Sequence, residues 1–136
     1  MLRLLSRLQK YHTIIISIHG TKLNAAVADS FLKRMIGLMF RKHLPRNSCM
    51  LFVFNIEGFH GIWMRNMLFP IDVLWINKRM RVVDLKENLR PCTSTFDCAT
   101  YSPAKKSKYI LELNAGKIKE LNIKTGRIIT LKKIKN

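Results

Sequence analysis

Short apolar, β-branched runs of strand length dominate this chain, and helical spacing of apolar positions shows in only a few stretches. Residues 13–18 are β-branched and apolar, His19-Gly20-Thr21 has turn chemistry, and residues 23–28 alternate, so the first elements predict a β-hairpin. A helix follows, capped by Asp29 or Ser30. Phe31, Met35 and Leu38 or Met39 recur on one side of it, and Pro45 ends the region. Residues 50–54 form a fully apolar run, which predicts a strand buried on both faces. Gly58 and Gly61 bracket a turn. Residues 62–65 and 71–77 read as strands, with Pro70 at the entry to the second, where a missing N–H is tolerated. After a turn at 77–80, strands are predicted at 81–85, 108–113 and 127–131. A loop over 87–101 and a short helix over 115–121, capped by Asn114, separate them. Many short strands with one or two short helices predict an α+β domain. Its sheet is mostly antiparallel, partly closed or a small barrel.

Charge alters this picture at the ends. Residues 1–46 and 101–136 each carry a net +8, whereas 47–100 carry only +1, in a chain of 136 residues with net charge +17. Residues 1–12 read as a basic leader or short helix, and 13–136 as a single β-rich domain. A secretory signal needs an unbroken apolar stretch of roughly 7–15 residues, and Ser17 and His19-Gly20 interrupt the only candidate. No run approaches the roughly 18 apolar residues of a membrane-spanning helix. A cytoplasmic location is expected, with the basic leader at 1–12 leaving targeting open, and a monomer is expected. Lys105, Lys106, Lys108, Lys132, Lys133 and Lys135 offer a surface for polyanions, nucleic acid included. They are not interleaved with aromatic side chains, so this charge predicts attraction without sequence specificity. A Lys- and Ile-rich composition is equally the habit of a thermophile.

Four blocks stand in a fixed order between Asp29 and Leu131. They are Gly37-Leu38-Met39-Phe40-Arg41 with Leu44-Pro45, Met50-Leu51-Phe52-Val53-Phe54, Trp63-Met64-Arg65-Asn66 with Pro70-Ile71-Asp72, and Tyr109-Ile110-Leu111-Glu112-Leu113-Asn114-Ala115-Gly116. With them the chain resembles the domain-of-unknown-function 192 family, also called uncharacterised protein family 0127. The resemblance implies a compact, mostly β domain, found alone or within longer secreted or enzyme-linked chains, and no established reaction. The family pattern has Thr or Ser where Met67 stands, Asp at Arg127 and Gly at Cys49.

Candidate chemistry concentrates in residues 59–72. On a strand over 71–77, Asp72 shares a face with Leu74 and Ile76, while Ile71, Val73 and Trp75 take the other. A carboxylate in a strand apolar on both faces is buried and must be paired or hydrogen-bonded. Two roles are open to it. Asp72 can accept backbone or Asn66 hydrogen bonds and fix a turn, or it can anchor a pocket walled by Trp63, Met64 and Trp75. Arg65 can hold an anionic ligand or pair with Asp72. Trp63, Arg65, Asn66 and Asp72 are thus the candidate ligand-binding residues, for a small ligand, a sugar or a protein segment.

Catalytic signatures are missing. His12, His19, His43 and His60 stand in no hydrolase motif, and His60 with Asp72 is the only pair worth testing. Gly-rich phosphate loops do not occur, and pairing Asp72 with Glu112 for glycoside chemistry has no support from spacing. Cys92 and Cys98, six apart, suit a disulfide better than a zinc pair, and Cys49 reads as a small core residue. No catalytic residue, metal or cofactor is assigned. The leading expectation is a non-catalytic binding module, followed by a nucleic-acid binder and then a hydrolase.

Overall fold

Alternation along the strands divides the apolar side chains between the two faces of one seven-stranded sheet. The computed structural model describes residues 1–92 and 96–133; Lys135, one of the basic positions above, lies outside them. The elements run α1 (Leu2–Leu8), β1 (Thr13–Ile18), β2 (Thr21–Ala28), α2 (Phe31–Ile36), β3 (Ser48–Gly58), β4 (Ile62–Trp63), β5 (Ile71–Ile76), β6 (Val82–Leu89), β7 (Thr100–Tyr101), β8 (Ser107–Asn114), α3 (Lys117–Glu120) and β9 (Thr130–Lys133). The large sheet has the order β6-β5-β8-β3-β2-β1-β9, and β4 pairs with β7 in a small second sheet.

Every pairing is antiparallel except that of β2 with β3. Parallel neighbours need a long crossover, and α2 with the loop after it supplies one. The sheet is not closed. Its two edges meet in one bridge, Arg81 to Ile128, supported by Val82 N–H donating to Arg127 O and Ile129 N–H donating to Met80 O, both at 2.8 Å. The α+β class and mostly antiparallel sheet match the pattern in the sequence; three short helices form rather than one or two.

One face gathers Ile16, Ile18, Leu51, Leu74, Ile76 and Leu111 with Ile118 and Ile129, and the other gathers Met50, Phe52, Val73, Trp75, Ile110 and Met64. All six residues of β5 are buried, as a central strand covered on both sides requires. Each fully buried aliphatic or aromatic side chain contributes roughly 1.5–3 kcal/mol.

Several boundaries differ from the expected ones for local reasons. Ser30 caps α2 by accepting the Lys33 N–H at 3.2 Å, but Gly37 ends the helix with φ 49° and ψ −127°. Leu38 and Met39 therefore lie beyond α2, although both are buried. The expected strand at 62–65 shrinks to β4, because Asn66 turns the chain with φ 58°. Asn114 does not cap α3. Its Nδ2 donates to Leu44 O at 2.9 Å instead.

Cys92 and Cys98 form a disulfide with Cα atoms 5.4 Å apart, in the loop that leads into β7. Closing so short a loop removes about 2 kcal/mol of chain entropy from the unfolded state. Replacing both cysteines by alanine is expected to lower Tm by several degrees. A melting curve unchanged by the replacement, or by reductant, would show that the bond adds no stability.

Candidate functional site

Asp72 lies on the face of β5 shared with Leu74 and Ile76, and it is fully buried. Its Oδ1 accepts the Asn88 N–H at 2.8 Å, and its Oδ2 accepts the N–H groups of Gly116 at 3.0 Å and Ile118 at 2.9 Å. The β5–β6 register shifts between Ile71 and Val73, and Asn88, at φ 52°, turns its N–H inward there. Asp72 thereby fastens β6 and the start of α3 to β5. These backbone donors are its partners; neither Asn66 nor Arg65 is among them.

The opposite face of the sheet carries a second carboxyl. Glu112 of β8 stands across from Met50 on one side and Val73 on the other, on the face of Ile110. It is only 5% exposed. Burial pushes its carboxyl up to about 8, so near neutral pH it is mainly protonated and acts as a hydrogen-bond donor. Its Oε2 has no hydrogen-bond partner among the described residues.

A groove of about 410 Å³ opens beside Glu112. Its walls are Leu38 and Met39 from the loop after α2, Phe52 and Phe54 of β3, Ile62 of β4, and Met67. Phe31 and Met35, one turn apart on α2, also line it and are exposed at 75% and 39%; Trp63 lines it at 41%. Gly37 contributes a close approach: a Cβ there would lie 2.9 Å from Phe52 Cζ. Any larger residue would push into the groove wall.

Two arginines share this lining. Arg34 donates from Nη1 to Val53 O at 3.0 Å and lies over Phe54, 5.3 Å from the ring centre. Arg65 lies over Trp63 at 5.3 Å, and its buried Nε has no hydrogen-bond partner among the described residues. The wall behind them is braced from the core. Trp75 Nε1 donates to His60 O at 2.8 Å, and the His60 ring stacks on Phe54 with centroids 3.8 Å apart.

Of the four candidate residues, Trp63 and Arg65 line the groove and Asn66 and Asp72 do not. Asn66 holds the loop behind it, with its carbonyl accepting the Phe40 N–H at 2.9 Å and its Nδ2 facing Met39 Sδ at 3.7 Å. Met64 and Trp75, expected as pocket walls, are buried core. His60 and Asp72 are not brought together: the His60 backbone is held by Trp75, on the face of β5 opposite Asp72. Glu112, weighed in the sequence only as a glycoside partner for Asp72, is absent from the candidate binding residues. Its run Ile110-Leu111-Glu112-Leu113 carries the signal that marked Asp72, a carboxylate in a strand apolar on both faces.

The sequence pattern of the DUF192 family, an uncharacterised ACR, matches residues 14–131. The chain belongs to the DUF192 family. A UPF0127 protein of Pyrococcus furiosus is 36% identical over 110 residues, covering 77% of this chain and 84% of its own. One from Thermococcus gammatolerans is 34% identical over 114 residues, covering 82% and 67%. Among solved structures, a proposed transcription regulator of Sinorhizobium meliloti superimposes with a TM-score of 0.82 at 27% identity, covering 90% of this chain and 96% of that one. A protein of unknown function from Novosphingobium aromaticivorans gives a TM-score of 0.75 at 25% identity, covering 87% and 83%. In this DUF192 chain Met67 presents an apolar side chain to the groove. Among the described residues no helix is long and apolar enough to cross a membrane.

Proposed function

We propose that this protein is a non-catalytic binding module whose site is the groove beside Glu112. The observation that carries this reading is the pair of buried polar atoms left without partners among the described residues, Glu112 Oε2 and Arg65 Nε, on residues lining one apolar groove. An unmet buried polar group costs about 1–3 kcal/mol, and a ligand that satisfies it recovers that cost. The size agrees with small-molecule sites, which run from roughly 300 to 1,000 Å³. Binding is favoured over catalysis because the lining offers one titratable carboxyl and no Ser, Cys, His or Lys to act as nucleophile.

Titration with the aromatic, anionic dye 1-anilinonaphthalene-8-sulfonate, at physiological salt to screen the basic surface, tests this. Saturable one-to-one binding is expected, and Phe31→Ser with Trp63→Ser should weaken it about tenfold while near-ultraviolet dichroism from buried Trp75 stays unchanged. These rim residues are exposed, so the protein should stay folded without them. Dye binding that never saturates, or that ignores both substitutions, would refute the groove as the site.

A second reading has its own support. The net charge of +17 and the likeness to a proposed transcription regulator favour nucleic-acid binding through the basic surface. That reading requires steep salt dependence, undiminished by Phe31→Ser and Trp63→Ser.

A further inference from the structure

The hydrogen-bonding character of the groove limits what can fill it. Near neutral pH the protonated carboxyl of Glu112 can donate, and the Arg65 Nε–H can only donate. Neither Glu112 Oε2 nor Arg65 Nε has a partner among the described residues. The other polar side chain in the lining, Arg34, is also a donor and a cation. The groove therefore presents donors and positive charge at its polar positions, with hydrocarbon and aromatic rings between them. A cationic ligand would meet two guanidinium groups in a chain already at +17; an anion would be drawn in by the same field. Guanidinium hydrogen bonds to a carboxylate are also stronger than those to a neutral acceptor.

Resting on the binding reading above, we propose that the occupant is a small apolar acid. Its hydrocarbon or aromatic body lies on Leu38, Phe52, Ile62 and Met67, and its carboxylate accepts the hydrogen bonds that Arg65 Nε and Glu112 leave unmade. Arg34, already bonded to Val53 O, adds a second positive charge to the lining. Trp63, stacked beneath Arg65, holds the guanidinium plane in place, and lysine could not reproduce that arrangement.

Calorimetric titration at physiological salt with three ten-carbon probes, sodium decanoate, decan-1-ol and decyltrimethylammonium, tests the proposal. All are kept below the concentrations at which they form micelles. Decanoate is expected to bind one-to-one and at least tenfold tighter than decanol or the ammonium compound. Arg65→Met and Arg65→Lys should each cost decanoate about tenfold while decanol binding stays the same. Lys106→Met, which removes one exposed surface charge, should leave decanoate binding unaltered. Decanol binding as tightly as decanoate would overturn the acid while leaving the groove as a binding site. Tighter binding of the ammonium compound would overturn it too, by showing Glu112 acting as an anion. If none of the three binds to the folded protein, the acid and the binding reading both fall.

Discussion

Replacing Asp72 with alanine is expected to lower the unfolding free energy by about 4 kcal/mol, because three N–H groups, one buried and two part-buried, lose a charged acceptor at once. The donors belong to Asn88, Gly116 and Ile118, so the loss loosens both the β6 bulge and the start of α3 from β5. Small domains are stable by only about 5–15 kcal/mol, and a loss of this size should bring Tm down by roughly 15 °C. Asp72→Asn retains one acceptor but turns an amide donor toward N–H groups, so it should fall between alanine and the native residue. Since Asp72 is outside the groove lining, any Asp72→Asn protein that remains folded should bind groove ligands with native affinity. Urea denaturation read alongside dye titration checks both halves. A loss below about 1 kcal/mol would remove Asp72 from the fold's main fastenings.

Glu112 carries the other large expected effect, and it runs with pH. The folded protein holds this carboxyl's proton up to about pH 8, against an ordinary value of 4.5. Between those limits the folded state binds more protons than the unfolded one, so stability falls as pH rises. The slope approaches about 1.4 kcal/mol per pH unit. The advantage is complete below pH 4.5 and is lost as pH climbs through 8, of the order of 5 kcal/mol in all. Glu112→Gln removes the titration while keeping the shape. Its stability relative to the native chain should rise from pH 5 to about pH 8 and then level off, measured as paired urea midpoints. Parallel profiles for the two proteins would mean that Glu112 does not carry this cost. A buried group that weakens the fold in the working pH range is characteristic of a functional site.

What could be read from the sequence follows from how local each feature is. The β1–β2 hairpin depends on His19-Gly20 and the alternation beside it, and Ser30 needs only the Lys33 N–H three residues away, so both were legible. Asp72 was legible as a buried, hydrogen-bonded carboxylate because alternation alone puts it between two apolar faces. Its partners were not, because Gly116 and Ile118 are 44 and 46 residues distant. The expected Asn114 cap failed for the same reason: Asp72 takes the N–H groups at the start of α3, and Asn114 serves Leu44 some 70 residues away. The groove is assembled from α2, β3, β4 and β8, whose neighbourhood is set by sheet order. Trp63 and Arg65, singled out in the sequence by residue type, lie in its lining. Glu112 gained its meaning only when the sheet placed it facing hydrocarbon with no partner.

The central claim is that the groove beside Glu112, and not the basic surface, is the binding site. Chemical-shift mapping of the isotope-labelled protein, titrated to saturation with decanoate at physiological salt, tests it most directly. Shifts are expected in the amides of 37–39, 61–65 and 110–112, with those of 105–108 and 124–132 unmoved. Shifts confined to the lysine-bearing segments 105–108 and 124–132, with a silent groove, would contradict it.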